Sequence, residues 1–186
     1  MYKNFFKRFI DIALSFIGIV VLAIPMFIVA AIIKLDSPGP VFFKQKRVGK
    51  DKKYFTIIKF RSMPVTAPHD TPTHQLENTE QLLSKFQRFE RKMSLDELPQ
   101  LFNILIGDMS IIGPRPALWN QDDLIAERDK YGANGVRPGL TGLAQISGRD
   151  ELEIPVKARL DGEYIEKMSF LFDCKCFFGT ITAVLK

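Results

Sequence analysis

Two adjacent carboxylates stand in the segment Ser94 to Gln100 (Ser-Leu-Asp-Glu-Leu-Pro-Gln), which continues into a run of helically spaced leucines. One interpretation is structural. Ser94 and Glu97 have the spacing of a capping box, and Asp96 would be favoured by the positive end of a helix dipole. The other is chemical, because an ionised carboxylate at a helix start can hold a divalent cation or attack a phosphorus centre. Taken alone, the segment leaves both interpretations open.

Basic side chains in turn-rich or strand-end contexts accompany this carboxylate pair. They are Lys59, Arg91, Arg115 within Gly-Pro-Arg-Pro, Arg137 and Arg149. A guanidinium group binds phosphate through two parallel hydrogen bonds, and a rigid Gly-Pro backbone can fix its direction. Any one of these residues is weak evidence, since most arginines are solvated. Together with the carboxylate pair they favour a phosphate or pyrophosphate site.

An apolar segment near the N-terminus must position this site relative to a membrane. Residues 12 to 33 form 22 positions without a charge, enough for a helix to cross a bilayer. The run is too long for a signal peptide, and no small-residue cleavage site follows it. Pro25 lies near its centre, where it predicts a kink. Because both flanks are basic, we favour a re-entrant helix with both ends in the cytoplasm over a simple spanning helix.

Charge and composition narrow the class of partner. The 186 residues carry a net charge of +5, and the cations concentrate just after the apolar segment. This arrangement favours anionic lipid and phosphorylated substrates. No aromatic residues are interleaved along a basic face, so nucleic acid is not an expected partner. Cys174 and Cys176 lack companion ligands for zinc, and we expect them to be core thiols.

The rest of the chain predicts a small α/β domain that is mostly helical. Residues 41–43 and 54–58 read as strands joined by a basic turn at 49–51. Residues 77–106 should be helical in two pieces divided near Ser94, and residues 111–149 should form ordered loops around short elements. A last helix is expected from Tyr164 to Leu185, on the core or at the membrane interface.

Five segments in this order resemble a known family. They are the N-terminal apolar run, KFRSM at 59–63, SLDELPQLFN at 94–103, GDMSIIGPRP at 107–116 and RPGLTGLAQISGR at 137–149. The chain resembles the small bacterial sugar transferases, the monotopic phosphoglycosyl transferases, over nearly its whole length. The resemblance implies a re-entrant membrane helix hairpin in residues 1–36, broken at Pro25. Residues 37–186 would form a catalytic domain with interfacial helices on the cytoplasmic face of the bacterial inner membrane.

The resemblance also implies a reaction. A sugar 1-phosphate would pass from a UDP-sugar to undecaprenyl phosphate, releasing UMP and starting the assembly of a bacterial glycan. Asp96 would be the nucleophile and the ligand of Mg²⁺, with Glu97 as its catalytic partner. The implied substrate-binding residues are Lys59, Arg91, Arg115, Arg149 and Asp161, of which Arg115 and Arg149 are the favoured phosphate ligands. A homodimer is one state that the resemblance allows.

Two positions depart from the family pattern. Ile24-Pro25 stands where members often have Ser-Pro, so Ser15 or another group would have to satisfy the backbone group freed by the proline. Leu143 stands where many members have Trp. The alternative to an enzyme is a membrane-anchored protein that binds nucleotide-sugars without chemistry. An enzyme of the same class acting on another sugar also stays open, because no residue identifies the sugar ring.

Overall fold

The computed structural model describes residues 2–68, 70, 83–148 and 152–184. A π-helical turn at Tyr2–Phe6 precedes the first helix. The helices are α1 Lys7–Asp36, α2 Lys85–Lys92, α3 Gln100–Ile106, α4 Asp122–Asp129, α5 Leu143–Ser147, α6 Ile154–Lys167 and α7 Phe170–Val184. The strands are β1 Phe42–Val48, β2 Tyr54–Phe60, β3 Ser110–Ile112 and β4 Gly139–Thr141. The predicted mixed α/β class with mostly helical content is confirmed.

Helix α1 is the one helix among the described residues that is long and apolar enough to cross a membrane. It continues through Pro25, so the predicted hairpin is not confirmed. The Ser15 hydroxyl donates to the carbonyl of Ile12, three residues earlier, and not to a group near the proline. One face of α1 is buried against the domain near both ends of the helix, at Lys7, Asp11 and Ser15 and again at Met26, Val29 and Ile33. The opposite face is apolar and exposed.

Polar contacts fix the first half of α1 to the domain. Lys7 forms an ion pair of 2.7 Å with Asp173 on α7. Asp11 accepts hydrogen bonds from the Ser110 hydroxyl and the Ile111 backbone N–H, at 2.8 and 2.9 Å. Because these groups are buried, each must be paired to avoid the cost of desolvation, and the pairing fixes the rotation of the helix about its axis.

The second half of α1 is fixed by the strand hairpin. Strands β1 and β2 pair antiparallel through a short turn at Lys50–Lys52, confirming the predicted hairpin, although β1 extends to Val48. Arg61, just after β2, donates to the carbonyls of Pro38 and Ser37 at 2.6 and 2.8 Å. It thereby satisfies carbonyls beyond the last turn of α1, which the helix itself leaves without partners.

One prediction about the C-terminal half is confirmed and another needs correction. The region from 111 onward does hold short elements among loops, as far as the structure describes it. Among them β3 and β4, three residues each, pair in parallel with Ser110 opposite Gly139. The single helix expected from Tyr164 is wrong in its bounds, because α6 ends at Lys167 and α7 begins at Phe170. Ser169 accounts for the break, since its hydroxyl accepts a hydrogen bond from the Phe172 N–H and caps α7. Cys176 is a buried core thiol, as expected.

Candidate active site

The carboxylate pair lies on a single 3₁₀ turn, Leu95–Glu97, between α2 and α3. Ser94 enters the turn in the left-handed region, with φ 55°, and its hydroxyl makes no capping bond. The capping-box interpretation of Ser94 and Glu97 is therefore wrong. Pro99 occupies the N-cap of α3, so the helix begins after the two carboxylates. Both side chains are left free to face the strand hairpin and the loop after β3.

Glu97 is held by two cations from distant parts of the chain. Lys59 on β2 donates to Oε1 at 2.7 Å, and Arg115 donates to the same oxygen at 2.9 Å. Burial by itself would raise the pKa of Glu97. The charges and hydrogen bonds of Arg115 and Lys59 outweigh that cost and hold the pKa far below its ordinary value. Glu97 is therefore a fixed anion that orients both cations.

Asp96 lies beside this cluster with weaker partners. Among the described residues its nearest cation is Lys59 at 3.9 Å, and the Ser62 hydroxyl lies 3.4 Å from Oδ2. Burial raises the pKa of Asp96 and the charge of Glu97 raises it further, against Lys59, Arg115 and Arg91. The two adjacent carboxylates thus have pKa values that are shifted in opposite directions. Asp96 is the more basic carboxylate, and none of the described residues forms a hydrogen bond with its Oδ1, which is the state a nucleophile requires.

Backbone contacts between glycines position Arg115. The Gly-Pro-Arg-Pro loop follows β3 directly, and the Gly113 N–H donates to the carbonyl of Thr141 at 2.8 Å. The Gly139 N–H donates to the carbonyl of Pro114, also at 2.8 Å. A Cβ at Gly139 would collide with the Gly113 backbone nitrogen, and one at Gly142 with the Gly113 carbonyl oxygen. The sequence needs glycine there because the two backbones touch.

The other predicted binding residues lie in different surroundings. Arg91 lines the same cavity as Asp96. Asp161 is fully buried and does not line the cavity; its carboxylate pairs with Arg128 at 2.6 Å. Arg137 donates to the carbonyl of Gly107 at the end of α3. Arg149 lies outside the described residues. A role in substrate binding stays a prediction for each member of this set.

Arg128 is a candidate that the sequence analysis missed. It lines the cavity, and two of its nitrogens, Nε and Nη2, bond to Asp161 at 2.8 and 2.6 Å. Burial raises the pKa of Asp161, while the charge of Arg128 opposes the shift. No sequence signal singles out Arg128, since it lies in an ordinary charged helix. Its partner is 33 positions away.

A cavity of about 1290 Å³ connects these groups. Its polar lining includes Lys59, Asp96, Glu97, Arg115 and Arg128, and α1 and α7 contribute apolar side chains. Ligand pockets in proteins commonly hold about 300 to 1,000 Å³. This cavity therefore has room for more than one small substrate, with cations suited to phosphate and a basic carboxylate in its wall.

The oxygen atoms of the site's carboxylates decide whether these residues could bind Mg²⁺. Within the described ranges, no three Asp, Glu, His or Cys side chains cluster closely enough to hold a metal ion by themselves. Magnesium does not need such a cage, because it often takes one or two carboxylates together with substrate phosphates and water. Asp96 fits that pattern, whereas the oxygen Oε1 of Glu97 is already engaged by two cations.

An apolar helix of membrane-spanning length, packed beside a buried site of carboxylates and cations, fits the class of membrane-associated enzymes with a site suited to phosphate groups. Comparison with known proteins agrees with this class. The chain matches the family described as bacterial sugar transferase over residues 2–186, and it belongs to that family. The resemblance seen in the sequence motifs is thereby confirmed, and the protein is a transferase of the phosphoglycosyl transferase type.

Individual relatives are similar over nearly all of this chain. "Uncharacterized sugar transferase EpsL" of Bacillus subtilis is 38% identical over 179 residues, covering 96% of this chain and 87% of that protein. The undecaprenyl-phosphate glucose phosphotransferase of Komagataeibacter xylinus is 40% identical over 185 residues, 94% of this chain and 35% of its own length. The UDP-glucose:undecaprenyl-phosphate glucose-1-phosphate transferase of Escherichia coli is 38% identical over 188 residues, 94% and 39% respectively. The chain thus spans less than half of the two longer relatives.

Proposed function

We propose that this protein transfers a sugar 1-phosphate from a UDP-sugar to undecaprenyl phosphate, releasing UMP and starting the assembly of a bacterial glycan. The main support is a pair of carboxylates, Asp96 and Glu97, that differ in pKa and in bonding partners. They lie beside Lys59 and Arg115 in a cavity that also borders α1. The names of two relatives include both undecaprenyl phosphate and glucose. Another relative is named for exopolysaccharide production.

In this proposal Asp96 attacks the phosphorus that carries the sugar. A bond forms between Oδ of Asp96 and that phosphorus, and the bond to the bridging oxygen breaks, so that UMP leaves with this oxygen. A phosphate oxygen of the lipid then attacks the same phosphorus and expels the Asp96 carboxylate. Lys59 and Arg115, oriented by Glu97, stabilise the negative charge of the phosphates in both steps.

Magnesium belongs to the proposal, with Asp96 and the substrate phosphates as its ligands. When bound, the ion would neutralise pyrophosphate charge. Chelation of divalent cations should abolish UMP release, and added magnesium should restore it. Full activity in excess chelator would remove the metal from the proposal while leaving the role of Asp96 intact.

We also propose that both ends of α1 lie on the cytoplasmic side. Lys7 near its start contacts Asp173, and Asp36 at its end accepts a hydrogen bond from Ser84 at 2.8 Å. A helix of 30 residues is about 45 Å long. A perpendicular crossing would place these two contacts on opposite sides of a bilayer, although one folded domain makes both. Cysteines placed at positions 3 and 46 should therefore be equally protected from an impermeant reagent added to intact cells; labelling of position 3 alone would contradict this topology.

The decisive experiment detects the covalent intermediate. Detergent-solubilised protein is incubated with a panel of UDP-sugars labelled in the sugar, without lipid acceptor. One donor should release UMP and leave label on the protein, and this label should be sensitive to hydroxylamine and discharged by undecaprenyl phosphate. Asp96→Asn should lower labelling by about a thousandfold or more, because an amide is a poor nucleophile. The exposed Asp122→Asn on α4 serves as the matched control.

Each outcome of this experiment bears on a different part of the proposal. Turnover by Asp96→Asn, in a preparation free of wild-type enzyme, would exclude Asp96 as nucleophile. UMP release that requires the acceptor would replace two displacements by one direct transfer. Binding of a UDP-sugar without UMP release under any condition would overturn the proposed reaction.

A further inference from the structure

The cavity reaches beyond the carboxylate–cation site to the apolar face of the molecule. Helix α1 contributes Leu14, Ile17, Gly18, Val21 and Leu22 to its lining, and α7 contributes Phe177, Thr180 and Ile181. Both sets have the spacing of a single helical face. The lining of α1 and α7 is therefore two stripes, one on each helix, which we call the α1–α7 channel.

The exposed fractions of the lining side chains show that this channel opens on the apolar outer surface. Ile17, Val21 and Ile181 line the cavity and yet are 55%, 67% and 44% exposed. The side chains of Lys59 and Asp96 are 14% exposed and lie further inside. The outer surfaces of the two helices are also apolar, since Val20 on α1 and Leu171 on α7 are exposed without lining the cavity.

The apolar wall continues from the mouth to the carboxylate pair. Leu98, the residue after Glu97, and Leu101 on α3 both line the cavity. Leu101 packs closely on α1, because a Cβ at Gly18 would lie 3.2 Å from its Cδ1. A flexible hydrocarbon entering from the mouth would thus touch apolar side chains up to the turn that carries Asp96.

Charge at the inner end suits an anionic head group. Among the described residues, the charged groups that act most strongly on Asp96 are Lys59, Arg91, Arg115 and Glu97. Together with an ionised Asp96, these five groups carry a net charge of +1. A phosphate monoester on a long hydrocarbon matches both ends, since its head is anionic and its tail apolar. A free nucleotide would leave the stripes on α1 and α7 uncovered.

We propose that the α1–α7 channel binds the isoprenoid chain of the lipid acceptor and delivers its phosphate to Lys59 and Arg115. The inference rests on the proposed function and adds the route of the second substrate. The chain enters from the membrane between α1 and α7, passes Leu101, and ends at the phosphorus bound to Asp96. Bulk phospholipid, whose head group is larger and already esterified twice, is the competing occupant.

Matched variants test this route. Val21→Trp fills the channel, whereas Val20→Trp adds the same group to the neighbouring exposed position outside it. On α7, Ile181→Trp and Leu171→Trp form the second pair. Each channel variant should raise the KM for undecaprenyl phosphate about tenfold, while labelling by the UDP-sugar without acceptor stays unchanged. Each control variant should stay within twofold of wild type in both measurements.

A binding measurement separates this inference from the proposed reaction. A photoreactive isoprenyl phosphate should crosslink to peptides of α1 and α7, with undecaprenyl phosphate as competitor and phosphatidylglycerol without effect. Crosslinking without any UMP release would retain the channel and overturn the reaction. Equal KM changes in channel and control variants, or competition by phosphatidylglycerol, would show that this face contacts only bulk lipid and would overturn the channel.

Discussion

Glu90 on α2 is a buried carboxyl group, and a single substitution can measure how its ionisation affects the stability of the fold. The residue is fully buried, and neither carboxyl oxygen has a hydrogen-bond partner in the part of the chain that the structure describes. Burial raises its pKa to about 8, and the charges of Asp96 and Asp36 add to the shift, against Arg61 and Arg91. In the folded protein at neutral pH, Glu90 is therefore mostly protonated.

The sign of the effect on stability follows from proton binding. The ordinary pKa of a glutamate is 4.5, so above that pH the unfolded chain has lost a proton that the folded chain retains up to about pH 8. Stability therefore falls as pH rises through this window, by about 1.4 kcal/mol per pH unit. Between pH 5 and pH 8 the loss amounts to roughly 3 to 4 kcal/mol. Glu90→Gln keeps the shape without the ionisation and should not show this loss.

Thermal unfolding of the detergent-solubilised protein measures the difference. In a chain of this size, 1 kcal/mol corresponds to about 2–4 °C in Tm. Between pH 5 and pH 8 the Tm of wild type should fall by roughly 10 °C more than that of Glu90→Gln. Glu166→Gln, an exposed position on α6, should follow wild type. Parallel curves for wild type and Glu90→Gln would mean that Glu90 is hydrated and ionised in the fold, refuting the reasoning.

Two substitutions test the framework of the site. Asp161→Asn removes the carboxylate from the buried Arg128 and should cost about 3–5 kcal/mol, seen as a lower Tm, because it leaves a buried charge unpaired; an unchanged Tm would mean that water replaces the carboxylate. Gly139→Ala should prevent β3 and β4 from pairing, because its Cβ would meet the Gly113 backbone nitrogen, and should abolish the monodisperse peak in size-exclusion chromatography. Gly135→Ala, whose Cβ would meet nothing within 4 Å, is its control, and a normal peak for both variants would contradict the close approach.

Patterns of neighbouring residues in the sequence predicted those helices and strands that form through contacts between residues close in the chain. The charge-free run at 12–33 predicted the apolar part of α1, which extends beyond the run at both ends. The hairpin of β1 and β2 followed from two strand-like runs around a basic turn. The sequence also singled out Asp96 and Glu97 together with Lys59 and Arg115, and the structure brings these four together. In each of these cases the informative residues are close in sequence or belong to a recognisable motif.

Features that depend on distant contacts were not predictable. The left-handed conformation of Ser94 frees Glu97 from capping, but only Lys59 and Arg115 give that carboxylate its partners. Strands β3 and β4 have three residues each, too short for a periodic signal. The burial of Glu90 runs against the usual exposure of glutamate, and it is decided by elements from several parts of the chain.

The position of Asp96 next to α3 suggests how the site would lie relative to a membrane. Asp96 lies four residues before the start of α3, and Leu101 on α3 packs against α1. The other face of α3 presents Phe102 and Ile106, which are exposed like the outer face of α1. Both helices therefore turn apolar side chains outward, and Asp96 lies at the polar end of α3. In the proposed reaction, a nucleophile at this position would meet a water-soluble donor on one side and a lipid phosphate on the other, without either substrate having to cross into the other's phase.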